Sequence, residues 1–226
     1  MKQQKTAVVI LSGGMDSTLC AYIAKQQGFD IIAVHFNYGQ RTENKELISF
    51  RKICDDLNVN QKYEIDIPFF TQIGASALTD INIDIPTTGL QEGVPVTYVP
   101  FRNGIFLSIA SAIAEKHDAQ ALFIGVVQED SSGYPDCTND FISKMQLAIN
   151  QGTKDTTKLN IVTPLVDLSK EEIVTQALKL NVPLKHTWSC YKNEEKACGV
   201  CDSCRLRLKG FALANAVDPI EYEGIL

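Results

Sequence analysis

Thr6-Ala7-Val8-Val9-Ile10-Leu11-Ser12-Gly13-Gly14-Met15-Asp16-Ser17 is the stretch on which the fold turns. Thr6 to Leu11 is short, apolar and partly β-branched, and it stops at a glycine pair, so it reads as a buried strand. Ser17 to Gln27 reads as a helix, with Leu19, Ile23 and Ala24 on one stripe and Gly28 as its stop. A glycine turn between strand and helix is an anion site. Its backbone can approach a ligand closely, and the helix start offers unpaired N–H groups with partial positive charge. Ser12 and Ser17 add hydroxyl donors. A carboxylate at Asp16 facing phosphate needs a cation between them, and Mg2+ is the natural candidate. The loop has neither the lysine of a Walker sequence nor the glycine spacing of a dinucleotide fingerprint. A nucleotide phosphate is the expected ligand.

Outward from this unit, strand and helix signals alternate. Asp30 to Phe36, Lys62 to Ile67, Ala121 to Val127 and Asn160 to Leu165 read as strands. Glu43 to Leu57, Asn103 to Lys116, Asn139 to Asn150 and a helix opened by Ser169-Lys170-Glu171-Glu172, a capping box, read as helices. Prolines and glycines across 68–98 predict loops around short pieces of structure. The alternation predicts an α/β fold: a doubly wound, mostly parallel sheet with helices on both faces and ligands beyond the C-terminal strand ends. Residues 1–181 are expected to form this domain. Residues 182–226, which lack strand signals, form a small helical C-terminal segment.

The chain has 226 residues, enough to bury a core without staples, and a formal net charge of −6. That balance argues against a nucleic-acid-coating surface. The apolar run after the basic start ends after five residues, too short for a signal peptide or a membrane span. A cytoplasmic location is expected.

There are seven cysteines, four of them crowded near the C-terminus. Cys190, Cys198, Cys201 and Cys204 give C-x7-C-x2-C-x2-C. Four thiolates within reach of one ion describe a closed, structural Zn2+ site, and the run does not match ferredoxin spacings. Cys20 and Cys54 fall on helices as core residues, while Cys137 ends a loop where ligands are expected. His35, His117 and His186 fit structural roles better than catalytic ones.

Ser12 to Ser17 resembles the pyrophosphate loop of the ATP pyrophosphatase (PP-loop) superfamily. That resemblance implies an adenine nucleotide α-hydrolase-like fold and ATP cleaved between its α and β phosphates. Leu11, Ser12, Gly13, Gly14, Met15, Asp16, Ser17 and Thr18 are then the ATP-binding segment. Ser132-Gly133-Tyr134-Pro135-Asp136-Cys137, Val99-Pro100-Phe101-Arg102-Asn103, Tyr38-Gly39-Gln40-Arg41 and the cysteine segment through Gly210-Phe211 resemble the 7-cyano-7-deazaguanine synthase family along essentially the whole chain. The chain departs from the family pattern at Ser131, where tyrosine is commoner, at Thr138, where arginine is usual, and in the lead-in Gln128-Glu129-Asp130.

The resemblance implies a ligase acting on 7-carboxy-7-deazaguanine, ammonium and ATP. The carboxylate and then the resulting amide are adenylated, with Mg2+ and Zn2+ as metals and a homodimer as the assembly. No nucleic acid or membrane partner is implied. Asp130 or Asp136 can accept the N–H groups of the deazaguanine edge, and Tyr134 can stack on its ring. Asp16, Arg102 and Lys170 are the expected catalytic residues: Arg102 forks onto the substrate carboxylate or a phosphate, and Lys170 reaches pyrophosphate. Two rivals stand beside this reading. One is a tRNA-thiolating enzyme of the same superfamily, which would need a basic face and cysteines near the phosphate loop. The other is a non-catalytic ATP-binding zinc protein.

Overall fold

In the computed structural model, which describes residues 5–89, 93–128 and 133–224, the opening apolar run is strand β1 (Lys5–Ile10). Its side chains alternate between two cores: Ala7, Val9 and Leu11 enter one, Val8 and Ile10 the other. A strand buried on both faces has no polar side, which is why the run is continuously apolar. β2 (Phe29–Asn37), β3 (Gln61–Asp66), β4 (Ala121–Phe123) and β5 (Asn160–Val162) complete a parallel sheet in the order β3-β2-β1-β4-β5. The chain winds outward from β1 through β2 to β3, then crosses back to β4 on the other side. The reversal lies between β1 and β4, and the loops leaving those strands diverge there to open a crevice.

Helices α1 (Met15–Gln26), α2 (Glu43–Asp56) and α6 (Lys170–Lys179) cover one face, sharing a core of Leu19, Phe50, Ile53 and Ile173 with the odd residues of β1. Helices α3 (Phe69–Ile73), α4 (Arg102–Lys116) and α5 (Asn139–Gly152) cover the other, where Phe70, Phe106, Leu107 and Ile142 pack. Helix α7 (Asp202–Leu213) lies on α6. A Cβ on Gly210 would sit 2.8 Å from the Lys170 carbonyl, so only glycine allows the approach.

Two strands stop earlier than the apolar runs predict. β4 ends at Phe123 rather than Val127. One further ladder bond forms, from Ile124 N–H to the Val162 carbonyl at 3.1 Å, and the backbone then turns to back the loop after β1. A Cβ on Gly125 would stand 2.9 Å from the Ser17 nitrogen. β5 ends at Val162, just before Thr163-Pro164, because proline brings no N–H to a ladder.

Residues 182–224 bring a third cluster, in which Trp188, Cys190, Cys198, Cys201, Cys204 and Tyr222 pack with Ala77 and Ile85. Among the described residues no helix is long and apolar enough to cross a membrane.

Candidate active site

The turn after β1 is held by hydroxyl side chains bonded to its backbone. Gly13 takes a left-handed φ of 87° and lies so close to α2 that a Cβ would stand 2.6 Å from the Glu46 carbonyl oxygen. The Ser17 hydroxyl donates to the Gly14 carbonyl (3.1 Å), accepts from Ser12 N–H (3.2 Å) and lies 3.0 Å from the Ser12 hydroxyl. The Thr18 hydroxyl donates to the Gly14 carbonyl at 2.7 Å. Gly14 is the N-cap of α1, and no side chain caps that helix. Its first-turn N–H groups therefore face the crevice with nothing from a cap to satisfy them, the arrangement that receives an anion. Lys170, the first residue of α6, reaches across to Asp16 with Nζ 2.7 Å from Oδ2. The other Asp16 oxygen, Oδ1, is buried and has no hydrogen-bond partner among the described residues.

The loop floors a cavity of about 280 Å3 whose wall includes Ser12, Gly14, Asp16, Ser17, Arg102, Tyr134 and Lys170. Arg102 opens α4, donates to the Tyr38 hydroxyl at 3.2 Å and lies over the Tyr38 and Phe106 rings. The Tyr134 hydroxyl pairs with Thr97 at 2.8 Å while its ring faces the cavity. The expected trio Asp16, Arg102 and Lys170 is thus gathered on one cavity, which Tyr134 also lines.

The two carboxylates offered by the sequence for the deazaguanine edge fare differently. Asp130 lies outside the described residues. Asp136 is buried, 3% exposed, and sits behind the wall rather than on it. Its Oδ2 accepts from Asn103 N–H at 2.8 Å, so it caps α4, whose N-cap residue Phe101 supplies no side-chain bond. Asp136 acts on the cavity by holding the turn that carries Arg102.

Cys137 does line the cavity and accepts from the Asn103 amide at 3.3 Å. Burial, reinforced by Asp136, pushes its thiol up to about 12, so it stands as a thiol at neutral pH rather than a nucleophilic thiolate.

Glu46 on α2 also lines the cavity, and the sequence reading did not single it out. Its Oε1 accepts from the Thr42 hydroxyl at 2.8 Å and its Oε2 from the Gln40 amide at 3.2 Å. Burial raises its carboxyl from 4.5 to about 7, a rise that these two bonds and the nearby Arg102 charge do not offset. The available sequence signal was the Thr42–Glu46 pair at i,i+4, which places both side chains on one helix face.

The four C-terminal cysteines converge. Their Sγ atoms all lie within 4.8 Å of one another, and all four residues are buried. Cys190 Sγ accepts from the N–H groups of Asn193 (3.3 Å) and Cys198 (3.4 Å), and Cys198 Sγ from that of Cys201 (3.4 Å). Such bonds favour thiolates, and an all-sulfur tetrahedral cage suits a soft or borderline metal. The cage is joined to the phosphate loop, because Trp188 N–H donates to the Gly13 carbonyl at 2.9 Å. Trp188, Ser189 and Tyr191 then form part of the cavity wall.

Comparison with solved structures identifies the architecture. A 4-thiouridine synthetase in complex with RNA and bound ATP superposes with a TM-score of 0.53 at 18% identity, over 93% of this chain and 50% of that one. A predicted tRNA methyltransferase subunit from Methanocaldococcus jannaschii gives 0.52 at 19%, over 76% and 74%. At these identities the likeness is one of fold. Sequence relatives are much nearer. A 7-cyano-7-deazaguanine synthase of Aliarcobacter butzleri is 71% identical over 97% of this chain and 96% of its own length. One of Sulfurimonas denitrificans is 67% identical over 97% and 98%. The family model for queuosine biosynthesis protein QueC matches residues 6–215, which takes in the phosphate loop, the cavity wall and all four clustered cysteines. On that span the chain belongs to the queuosine biosynthesis protein QueC family.

Proposed function

We propose that this chain is an ATP-dependent ligase that converts 7-carboxy-7-deazaguanine and ammonium to 7-cyano-7-deazaguanine. The observation that carries the reading is one cavity lined by the phosphate loop, the Asp16–Lys170 pair, Arg102 and Tyr134 together, in a chain 71% identical to a synthase of that name.

The chemistry follows from the groups present. The first turn of α1 and the hydroxyls of Ser12 and Ser17 hold the β and γ phosphates, so the charge that develops on departing diphosphate meets fixed donors. Lys170, released from Asp16 toward the phosphates, adds a mobile positive charge. Arg102 forks onto the substrate carboxylate and orients one oxygen for attack on the α-phosphorus. Tyr134 stacks on the deazaguanine ring, and Asp136 keeps Arg102 in register through α4. The acyl-adenylate so formed is attacked by ammonia, AMP leaves and an amide results. A second adenylation, on the amide oxygen, turns that oxygen into a leaving group and its loss gives the nitrile. Removing two oxygens requires two ATP.

The buried, unpartnered Oδ1 of Asp16 fits Mg2+, which would supply charge neutralisation at the diphosphate. The cysteine cage fits Zn2+ as a structural ion. We assign residues 1–181 to ATP and substrate chemistry and 182–226 to closing the site, in a cytoplasmic homodimer.

Incubation with the carboxylate, ammonium and ATP, followed by mass spectrometry, tests the reading. Nitrile with two AMP per turnover is expected. ATP turnover that ends at the amide, or AMP release indifferent to the deazaguanine, would overturn it.

A further inference from the structure

We infer that Glu46 is the proton acceptor that turns bound ammonium into ammonia inside the cavity. The inference rests on the ligase reading above and goes beyond it, to how the nitrogen nucleophile is made.

Ammonium has no lone pair to attack with, and at neutral pH it is the dominant form. An enzyme fed ammonium needs a base next to the acyl-adenylate. Of the described residues that line the cavity, the carboxylates are Asp16 and Glu46. Asp16 is engaged with Lys170 at 2.7 Å, and when Lys170 turns to the phosphates Asp16 remains committed to the Mg2+ assigned above to its unpartnered Oδ1. The other cations on the wall are also engaged. Arg41 donates to the carbonyls of Asp80 and Ile83, Arg102 donates to Tyr38, and Arg207 pairs with Asp218 at 2.6 Å. Glu46 instead holds two neutral donors, one on each oxygen, with Glu43 on its own helix and Arg102 on α4 as the charges acting on it.

Those two bonds fix the carboxylate plane. The Gln40 amide is itself oriented, since its carbonyl accepts from Tyr38 N–H at 2.8 Å. A carboxylate has about four acceptor sites and these two bonds occupy one on each oxygen, so a side chain that lines the cavity keeps capacity for a further partner. Burial places its proton affinity near neutrality, where it can take a proton and give it up again.

The step balances. An N–H bond of ammonium breaks as an O–H bond forms on Glu46. The freed lone pair bonds to the acyl carbon, and the bond to the AMP oxygen breaks. The nitrogen then sheds one proton to departing AMP, and Glu46 returns its own to solvent.

Steady-state kinetics of Glu46→Gln across about pH 6.5 to 9 test this. The glutamine keeps the shape and can still bond to Thr42 and Gln40, but it cannot accept the proton. At neutral pH the variant should show an apparent KM for total ammonium raised about tenfold or kcat lowered about tenfold to a hundredfold, with KM for ATP and for the deazaguanine within about twofold. The defect should shrink as alkaline pH supplies free ammonia. A defect independent of pH, or one expressed in KM for the deazaguanine, would show that Glu46 reads the substrate edge and would overturn the inference. Thermal unfolding and ATP calorimetry on the same variant separate a folding defect from a chemical one. If the wild-type protein makes no nitrile, the ligase reading falls and this inference falls with it. Nitrile formation with unchanged ammonium dependence in the variant removes this inference alone.

Discussion

Gly13 carries two constraints at one atom. Its φ of 87° is left-handed, and a Cβ there would meet the Glu46 carbonyl at 2.6 Å and Ser49 Cβ at 2.9 Å. The backbone contact cannot swing aside as a side chain could. Gly13→Ala should therefore push α2 away from the phosphate loop, costing about 1–3 kcal/mol of stability and at least tenfold in ATP affinity. Denaturant unfolding and ATP titration check the two effects, and a variant that binds ATP like wild type would mean the loop is not gripped by α2. Glu46 offers a second residue-scale test. Its carboxyl is raised in the folded protein, from 4.5 to about 7. The folded state thus holds a proton that the unfolded chain has released. The resulting stabilisation is full below the unfolded value and is lost as pH rises through the folded one. Relative to Glu46→Gln, the wild type should lose about 1–3 kcal/mol between about pH 4.5 and pH 8, read from paired thermal melts. Parallel melting curves would show that Glu46 is more solvated than its cavity position implies.

At the scale of elements, α6 matters for where it begins. Ser169 caps it reciprocally: the Ser169 hydroxyl accepts from Glu172 N–H at 3.3 Å, and the Glu172 carboxylate accepts from Ser169 N–H at 2.9 Å. Lys170 is the first residue inside that cap, so the cap sets where the Nζ can reach. Ser169→Ala should cost about 0.5–2 kcal/mol, and it should also lower turnover by loosening Lys170. Unchanged kinetics beside the lost stability would confine the cap to a folding role. This cap was legible in the sequence, as were the five strands of the described residues, because Ser-x-x-Glu before an apolar stripe and short β-branched runs are local signals. The strand ends were less legible. β4 gives way at Phe123 because its continuation serves the phosphate loop, a tertiary demand that an apolar run through Val127 does not display. The bond by which Asp136 caps α4 has the same origin. From the sequence Asp136 is a polar residue in a ligand-facing loop, and only the fold brings the backbone N–H of Asn103 to 2.8 Å from its carboxylate. Glu46 escaped notice because a glutamate on an amphipathic helix reads as solvated face until the neighbouring loops close over it.

Across the whole molecule, the cysteine cage and the phosphate loop are one mechanical unit, although about 180 residues separate them in the chain. The connection is short. Cys190 follows Trp188 by two residues, and Trp188 N–H holds the Gly13 carbonyl at 2.9 Å. The segment is braced from behind by Arg207, 1% exposed, which donates to Thr187 at 2.7 Å and pairs with Asp218, and by Arg205, which donates to the Thr87 carbonyl at 2.7 Å. A metal bound by the folded cage and not by the unfolded tail adds its binding energy to folding, on the order of 10 kcal/mol for structural zinc in small peptides. Without it, four buried thiolates would repel one another. The chain would answer by protonating or by opening the 190–204 loop, and opening would pull Trp188 from Gly13. Metal removal by a chelator should therefore lower the unfolding temperature and weaken ATP binding together, at temperatures where the sheet remains folded. The far-ultraviolet dichroism should stay near its holo value while ATP affinity falls about tenfold, and zinc should restore both. Parallel loss of dichroism and affinity would mean that the cage supports the entire fold. ATP affinity that survives stripping would mean that the Trp188–Gly13 bond does not transmit the state of the cage to the loop.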